Sequence, residues 1–295
     1  MESIYDKKKQ RLSIVLFPSD YFNPSVVDGD FENEYRAVLE QPNLMPLIFS
    51  YEGWFQQGKM ILSGDLPKTA SKAVYRGWMM QPEKYAQFYE ALKERNILLT
   101  TSPEEYGRLH VFPNAYPYVK EDSARILCFK LHEPIQISSV LKEFPWFMVK
   151  DFVKSVKGSD FPKFFDSSFS QEDFDHWMEV FYKYRGDLLT GGICIKEYLN
   201  LKKYDGKTNE YRAFYANNEM ISFEPNSGQG TFTPAPPAQM LKKYQSVESP
   251  FYTVDYAELA DGSWKVIETG DGSVSGLSDR QDVRAFYRSL YLAFS

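Results

Sequence analysis

The stretch VIETGDGSVSG, residues 266–276, combines the end of a β-strand with a candidate binding loop. Its first residues read as a strand, which brings the carboxylate of Glu268 to the strand end. A loop rich in Gly and Ser follows and carries a second carboxylate, Asp271. Because glycine lets the backbone turn tightly, both acids are candidates for ligand binding at one place.

This strand is the second arm of a predicted hairpin, YTVDYAELADGSWKVIET, which turns at Asp261-Gly262. Asp-Gly is a favoured pair in two-residue type I′ turns, and such a turn determines which residues face each other. The resulting register places Glu258 opposite Lys265 as an ion pair, which supports the register.

The same register places Asp255 opposite Glu268, with Cβ atoms roughly 5 Å apart, where like charges destabilise a sheet. Two such charges share a proton, bind cations or splay apart into water. A shared proton would give an acid/base dyad, as in glycoside hydrolysis. A bound cation would be Mg²⁺, which takes oxygen ligands and often phosphate as well. A solvated strand end without a ligand is the third alternative, and the hairpin alone leaves all three open.

A cationic segment lies upstream, in the predicted strand PWFMVKDFVKS. Strand alternation places Lys150, Phe152 and Lys154 on one face. Each lysine alone is more often a solvated surface residue, but two of them beside a buried aromatic ring favour a bound anion.

Two further groups suit the same anion. The loop SVKGSD follows the lysines directly, and Lys157, Gly158 and Ser159 offer backbone N–H groups to close over phosphates. Arg212, in EYRAFY, supplies a planar donor for phosphate or carboxylate. Together with the acidic hairpin, these groups favour a ligand site over a solvated surface.

The remaining pattern is that of a mixed α/β protein. The runs RLSIVLFP, LMPLIFSY, KAVYR and NILLT predict strands. Helices are predicted from Pro82, after a cap at Ser102 and after a cap at Ser170, and a further helix in DRQDVRAFYRSLYLAF. A second hairpin is predicted to turn at Asn217-Asn218.

The composition is that of a globular chain: 295 residues, 43% hydrophobic and 25% charged, are enough for two domains. The net charge of −6 argues against sequence-independent binding of nucleic acid, which needs a basic surface. No run has the apolar length of a signal-peptide core or a membrane span, so a cytoplasmic protein without a membrane partner is expected. Cys128 and Cys194 lie in apolar runs, which predicts buried, reduced thiols and no disulfide framework.

In their order, these parts resemble the ATP-grasp superfamily over residues 135–295. VKDFVKS, EYRAFY and VDYAEL with WKVIETGDGSVSGL are similar to the bacterial and phage-associated clade named for one arginine and two lysines. VYRGWMM and YGRLHVFPNAYP resemble the domain that precedes it. The resemblance implies an α/β ATP-grasp fold with an N-terminal α/β pre-ATP-grasp domain. We therefore expect a substrate-side domain over residues 1–130 and an ATP-grasp domain, with a nucleotide site between two lobes, over residues 131–295.

The resemblance also implies ATP and Mg²⁺ as cofactors and gives the matching residues three roles. Cationic side chains and a flap contact the phosphates, the junction between the lobes holds ribose and adenine, and two acids bind the metal. In that order the residues are Lys150, Lys154, Lys157, Ser159 and Arg212, then Glu197 with the backbone of Lys196 and Tyr198, and finally Asp255 and Glu268. Among them, the two lysines and the arginine that name the clade would act in catalysis.

The chain departs from the family pattern at the last strand. Family members commonly end this strand with Glu-x-Asn, in which the Asn is a further metal ligand, whereas this chain continues from Glu268 to Gly270. Strand alternation points Asp271 away from Glu268, so Asp271 would replace that ligand if the chain turns at Gly270.

Four residues are candidates for contacts on the acceptor side of the cleft. Ser273 and Ser275 lie in the loop after Glu268 and would contact substrate or phosphate; the alternative is a plain connection. Arg76 and His110 belong to the upstream segments that resemble the preceding domain. Arg76 also has a structural alternative, in which it packs at the interface between the domains.

The implied activity is that of an ATP- and Mg²⁺-dependent carboxylate–amine ligase that forms an amide or peptide bond through an acyl phosphate. An amino acid, a peptide or a protein would supply the carboxylate, and an amine would be the acceptor. The sequence does not identify either substrate or the oligomeric state. A kinase-like phosphoryl transfer and a non-catalytic nucleotide-binding module are the alternatives.

Overall fold

The N-terminal part of the molecule is built on a five-stranded sheet. The computed structural model describes residues 11–156, 160–230 and 233–295. The strands of this sheet are Leu12–Pro18 (β1), Met45–Phe49 (β2), Leu62–Ser63 (β3), Ser71–Tyr75 (β4) and Ile97–Leu99 (β5). Their order is β3-β2-β1-β4-β5, parallel except for β3 at the edge. Each of the four predicted apolar runs is one of the parallel strands.

Five helices of the described residues surround this sheet: Glu32–Leu39 (α1), Tyr51–Phe55 (α2), Pro82–Lys93 (α3), Pro103–His110 (α4) and Phe112–Val119 (α5). Two of them, α3 and α4, begin where the sequence predicts. Ser102 and Glu105 form a capping box at the start of α4, in which each side chain accepts the backbone N–H of the other residue. The cap fixes the start of α4, whose last residue is His110.

A three-stranded antiparallel sheet carries the cationic segment. Its strands are Ile126–Phe129 (β6), Phe147–Asp151 (β7) and Ile193–Glu197 (β8), with β8 in the centre. Two helices, Ile137–Glu143 (α6) and Gln171–Arg185 (α7), cover one face of it and pack over Val149, Ile193 and Ile195. By alternation, Lys150 and Lys196 lie on the opposite face. Ser170 caps α7 as predicted, and the domain boundary at residue 130 stays a prediction.

The cationic strand is shorter than predicted. It ends at Asp151, whose Oδ1 accepts hydrogen bonds from the N–H groups of Lys154 and of the residue before it, and so turns the chain. The prediction that Lys150, Phe152 and Lys154 share one face of a strand is therefore wrong. Phe152 packs over Gly191 instead, where an added Cβ atom would clash with the aromatic ring.

A four-stranded antiparallel sheet carries the acidic residues. A short ribbon, Lys203–Tyr204 (β9) and Lys207–Thr208 (β10), precedes it. The strands of the four-stranded sheet are Glu210–Ala216 (β11), Glu219–Pro225 (β12), Phe251–Glu258 (β13) and Trp264–Asp271 (β14), in the order β12-β11-β13-β14. Asn217 and Asn218 form the predicted turn, with φ angles of 47° and 68°.

Two further helices belong to this part of the chain, Ala238–Lys243 (α8) and Val283–Ala293 (α9). α9 confirms the predicted final helix and packs against α1 and β12. Within the described ranges, no helix is both long enough and apolar enough to cross a membrane.

The hairpin of β13 and β14 pairs Asp255 with Glu268, as predicted, but the turn differs from the predicted one. The turn is longer than two residues, since the Leu259 N–H donates to the Ser263 carbonyl at 2.7 Å. A β-bulge next to Asp255 leaves Ile267 without a partner on β13 and restores the predicted pairing beyond it. The bulge also frees the Ile267 carbonyl for a side-chain donor.

Glu258 does not form the predicted ion pair with Lys265, because the longer turn shifts the register and places Glu258 opposite Trp264. Its buried carboxylate accepts hydrogen bonds from Asn209 Nδ2 at 2.8 Å and from the Tyr204 hydroxyl at 3.1 Å. Glu258 is therefore part of a buried polar network behind the hairpin.

Arg76 joins the N-terminal sheet to the acidic one. Its guanidinium is buried and makes two hydrogen bonds to the Glu34 carboxylate, at 2.8 and 2.9 Å. It also donates to the carbonyl oxygens of Gly272 and Ser275, in the loop after β14. The Tyr287 hydroxyl of α9 donates to the same Glu34 carboxylate. Arg76 therefore packs between the N-terminal region and the loop after β14, which is the structural alternative that the sequence analysis gave for this residue.

We expect Arg76→Met to lower the free energy of unfolding by about 3–5 kcal/mol, because Glu34 would keep a buried charge without its partner. Chemical denaturation followed by circular dichroism measures this change. Arg36→Met is the matched control, since Arg36 pairs with Glu32 on the exposed face of α1 and exposed pairs contribute about 0.2–1 kcal/mol. Equal effects of the two substitutions would contradict this role of Arg76.

Candidate active site

Two cavities meet between the three-stranded sheet, which carries Lys150, and the four-stranded sheet, which carries Asp255 and Glu268. The larger, of about 260 Å³, has among its lining residues Lys150, Lys154, Lys196, Glu197, Tyr198 and Glu268. The smaller, of about 200 Å³, has among its lining residues His110, Lys154, Arg212, Asp255, Glu268 and Ser275. Lys154 and Glu268 line both cavities, so the cavities share a junction at these two residues.

The acidic pair lies at this junction with a cation against each carboxylate. Lys150 Nζ lies 3.0 Å from Glu268 Oε1. Arg212 binds Asp255 through two hydrogen bonds, from Nε to Oδ1 at 2.8 Å and from Nη2 to Oδ2 at 2.7 Å. These cations offset the repulsion between two like charges on opposed strands. The sheet therefore holds two carboxylates side by side at the wall of the smaller cavity.

The pKa shifts follow this pairing. Burial acts to raise the pKa of Glu268, but the charges of Lys150 and Lys154 outweigh it and lower this pKa to about 2. Burial acts to lower the pKa of Lys150, and attraction to Glu268 outweighs it and raises the pKa. The carboxylate of Asp255 raises the pKa of Arg212. Because Glu268 is ionised at neutral pH, the shared-proton alternative has no support here.

A third lysine, Lys196, lies on the same face of the sheet as Lys150. Its Nζ donates to the Ile267 carbonyl that the bulge leaves free, and it lies 4.1 Å from the centre of the Phe112 ring. Burial and the nearby charge of Lys150 lower the pKa of Lys196 to about 7. The sequence assigned only the backbone of Lys196 to the site, whereas its side chain also lies beside the larger cavity.

The predicted ribose and adenine residues line the larger cavity, but they also have partners within the protein. The Glu197 carboxylate pairs with Arg125 at 3.1 Å, and this hydrogen bond lowers the pKa of Glu197. The Tyr198 N–H donates to the Trp146 carbonyl at 2.9 Å. Glu210 lines the same cavity and was missed, although it lies two residues before Arg212 on one strand and so shares its face.

His110 lies at the end of α4 and lines the smaller cavity. Its ring stacks on Tyr106, with 4.7 Å between the ring centres. Burial and the charge of Lys154 lower the pKa of His110 to about 4, so the imidazole is neutral at neutral pH. A neutral imidazole here offers a hydrogen bond to a substrate without adding a charge.

Of the other three acceptor-side candidates, one lines the smaller cavity and two are buried outside it. Ser275 lines the smaller cavity, and its hydroxyl lies 2.9 Å from that of Thr253, a residue the sequence analysis missed. Ser273 is buried, and its carbonyl accepts the Gly77 N–H at 3.0 Å. Arg76 is buried in the interface described above. The structure therefore brings Ser275 to the site, and it places Ser273 and Arg76 outside it.

Asp271 does not join the acidic pair. The strand runs through Gly270 without the turn that would redirect Asp271, so alternation points it away from Glu268. Its Oδ1 accepts the Ser273 N–H at 2.9 Å, whereas its buried Oδ2 has no hydrogen-bond partner among the described residues. Burial raises the pKa of Asp271 to about 7. We therefore do not retain Asp271 as a metal ligand.

The acidic pair has the donor chemistry for Mg²⁺. Residues 11–156, 160–230 and 233–295 hold no group of three or more His, Cys, Asp or Glu side chains arranged for a metal. Asp255 and Glu268 supply two carboxylates, which fits Mg²⁺, an ion often held by one or two carboxylates together with phosphate. Lys157 and Ser159, predicted in the phosphate flap, lie outside the described residues.

Over residues 140–290, just over half of the chain, the sequence matches a family of ATP-grasp domains, family 3 of the clade named for one arginine and two lysines. The chain belongs to this family, and its mixed α/β architecture is the ATP-grasp fold that the resemblance implied. No curated protein matches the chain in sequence.

Solved structures of ATP-grasp ligases share this fold. PsnB, in a complex with a minimal precursor, Mg and ADP, is 10% identical with a TM-score of 0.60, and the match covers 95% of this chain and 97% of PsnB. The D-alanine–D-alanine ligase from Coxiella burnetii is 8% identical with a TM-score of 0.61, over 97% of this chain and 94% of the ligase. The D-cycloserine synthetase DcsG is 12% identical with a TM-score of 0.59, over 96% of this chain and 100% of DcsG. At these identities the similarity establishes the fold.

Asp271→Asn is expected to change the pH dependence of stability. Because the pKa of Asp271 rises from an ordinary value of 3.8 to about 7, the folded protein retains a proton that the unfolded chain has released between these values. Its contribution to stability is full below about pH 4 and falls as the pH rises toward about 7, by at most about 1.4 kcal/mol per pH unit.

The measurement is the free energy of unfolding of the wild type and of Asp271→Asn across this pH interval. The wild type should lose stability relative to the variant as the pH rises, and the difference should level off above about pH 7. A difference that is constant with pH would contradict the raised pKa of Asp271.

Proposed function

We propose that this protein is an ATP- and Mg²⁺-dependent ligase that joins a carboxylate to an amine through an acyl phosphate. The observation that carries the proposal is the junction of two cavities at Lys154 and Glu268. Such a ligase needs a nucleotide site and a carboxylate site that meet at the terminal phosphorus atom of ATP. Membership of the ATP-grasp family and the ligases of the same fold support the proposal.

The larger cavity suits ATP. Met148, Leu199 and Leu201 give it an apolar wall on which an adenine ring would pack. The phosphates would extend toward Lys154, which lines both cavities, and toward Lys150, which contacts Glu268 at their junction. Positive charges fixed at that junction would stabilise the negative charge that builds on the transferring phosphoryl group.

Asp255 and Glu268 would hold Mg²⁺, with phosphate oxygens as further ligands. When bound, the ion supplies charge neutralisation at the phosphoryl group. Lys150 and Arg212 already hold the two acids side by side, so the pair is formed without any change in strand pairing.

The smaller cavity would take the substrate carboxylate. One carboxylate oxygen attacks the γ-phosphorus of ATP, the bond to the ADP oxygen breaks, and an acyl phosphate forms. The amine then attacks the acyl carbon, phosphate leaves, and the nitrogen loses a proton as the amide forms. Arg212, in the wall of this cavity, would stabilise the phosphoryl oxygens, and the neutral His110 would orient the acceptor.

The carboxylate would come from an amino acid, a peptide or a protein, and the shape of the site favours a peptide. The smaller cavity continues past Met79, His110 and Val153 into a more open cavity of about 510 Å³. That opening leaves room for a chain attached to the reacting carboxylate. PsnB, which shares the fold, is an ATP-grasp ligase whose structure contains a precursor peptide.

Hydroxylamine tests the proposal, because it replaces the unidentified amine and traps an acyl phosphate as a hydroxamate. With ATP, Mg²⁺ and a panel of amino acids and short peptides, we expect ADP, phosphate and a hydroxamate, measured by mass spectrometry and a coupled ADP assay. A stable phosphorylated product would contradict the proposal in favour of a kinase-like reaction. Binding of ATP without turnover across the panel would contradict it in favour of a non-catalytic module.

Two lysine variants serve as controls. Lys150→Met should reduce hydroxamate formation by about 10²–10³-fold, the scale on which one fixed charge or donor contributes to such a reaction. Lys142→Met, on the exposed side of α6, removes the same charge far from the cavities and should leave the rate unchanged. Equal rates for the two variants would remove Lys150 from the proposed mechanism.

A further inference from the structure

Cys128 and Cys194 lie opposite each other on neighbouring antiparallel strands. β6 and β8 pair Cys128 with Cys194, and β7, on the other side of β8, pairs Lys150 with Cys194. The three residues form one row across the sheet, on the face that carries Lys196 and lines the larger cavity. Cys194 is buried but Cys128 is exposed, so the prediction of two buried thiols is wrong for Cys128.

The pair has the backbone geometry of a disulfide site. The Glu197 N–H donates to the Arg125 carbonyl at 2.9 Å, which makes those two residues a hydrogen-bonded pair. Pairs alternate along an antiparallel ladder, so Cys128 and Cys194, three positions further, form a non-hydrogen-bonded pair. The Cα atoms of such pairs lie about 4.5 Å apart, within the range of roughly 4.4–6.8 Å that a disulfide spans.

The two thiols differ in reactivity. A hydrogen bond from the Cys194 thiol lowers the pKa of Cys128, whereas that contact and burial raise the pKa of Cys194. Cys128 is exposed on an edge strand of the sheet and forms a thiolate more readily. An accessible attacking thiol beside a second, resolving thiol is the arrangement found in redox-sensing cysteine pairs.

We propose that Cys128 and Cys194 form a reversible disulfide, through a low-molecular-weight disulfide as oxidant, and that this bond weakens nucleotide binding. The Cys128 thiolate attacks one sulfur of the oxidant, a thiolate leaves, and a mixed disulfide forms. Cys194 then loses its proton and attacks the Cys128 sulfur, which releases the second thiol. The oxidant is reduced to two thiols while the protein dithiol is oxidised to one disulfide.

The effect on the nucleotide site follows from the position of Lys150. The Cα atoms of a relaxed disulfide usually lie about 5.5–6 Å apart, further than the roughly 4.5 Å of this kind of pair, so formation of the bond would shift β6 and β8 relative to each other. Lys150 is the cross-strand neighbour of Cys194, and it reaches Glu268 at 3.0 Å. Movement of Cys194 would therefore disturb Lys150. The consequence for ATP binding rests on the proposed function, in which Lys150 contacts the ATP phosphates.

The disulfide is tested on the full chain with glutathione disulfide, followed by intact-mass measurement and peptide mapping. We expect a mass ~2 Da below that of the reduced protein, from the loss of two hydrogen atoms, and a cross-linked peptide pair that dithiothreitol releases. Cys194→Ser should instead trap the mixed disulfide on Cys128. In the wild type, a stable glutathione adduct on Cys128 without the cross-link would overturn the proposed disulfide.

The effect on binding is tested by titration calorimetry with Mg²⁺ and ATP. The oxidised wild type should bind ATP at least about tenfold more weakly than the reduced form, the scale of one hydrogen bond to a charged group. Cys128→Ser is the control and should bind like the reduced form with and without oxidant. A disulfide with unchanged ATP affinity would overturn the effect on binding. Absence of ATP binding in every form would refute the proposed function, and the mass measurement would still decide the disulfide.

Discussion

The two opposed carboxylates of Asp255 and Glu268 are the constraint on which the site depends. Cross-strand pairing places them side by side, where their charges repel, and the pair persists because Arg212 and Lys150 each supply a cation. Arg212 comes from the neighbouring strand of the same sheet, whereas Lys150 comes from the three-stranded sheet. The Lys150–Glu268 ion pair therefore also joins the two sheets at the cleft between them. The same contact offsets the charge of Glu268 and holds together the two walls of the cleft.

A second group of contacts holds the end of the acidic strand from the other side. Arg76 binds carbonyl groups of the loop after β14 and pairs with Glu34 of the N-terminal region, so that loop is fixed to the first sheet. The bulge at Ile267 contributes as well, because the free carbonyl of Ile267 accepts a hydrogen bond from Lys196 Nζ of the three-stranded sheet. The strand that carries Glu268 is thus held by both neighbouring parts of the molecule, which preorganises the acids for a cation and phosphates.

The sequence predicted features that depend on local chemistry and missed those that depend on distant contacts. The caps at Ser102 and Ser170 involve residues three apart along the chain and are confirmed, and so are the four parallel strands of the first sheet. The end of β7 was missed, because the Asp151 side chain competes with the sheet for backbone N–H groups. Burial of Arg76 is set by elements far away in sequence, so no local pattern could indicate that it lies outside the cavities, whereas strand alternation already pointed Asp271 away from Glu268. The acidic pair was found because strand alternation, the hairpin and the family resemblance agree on it.

A crystal structure with Mg²⁺ and a non-hydrolysable ATP analogue would show whether the acidic pair binds the metal beside the ATP phosphates. We predict one Mg²⁺ ion with carboxylate oxygens of Asp255 and Glu268 among its ligands, at about 2.0–2.1 Å. We further predict analogue phosphates in contact with Lys150 and Lys154 at the junction of the two cavities. A nucleotide bound elsewhere, or a metal held without either acid while Lys150 and Arg212 keep their present ion pairs, would contradict the proposed role of the acidic pair.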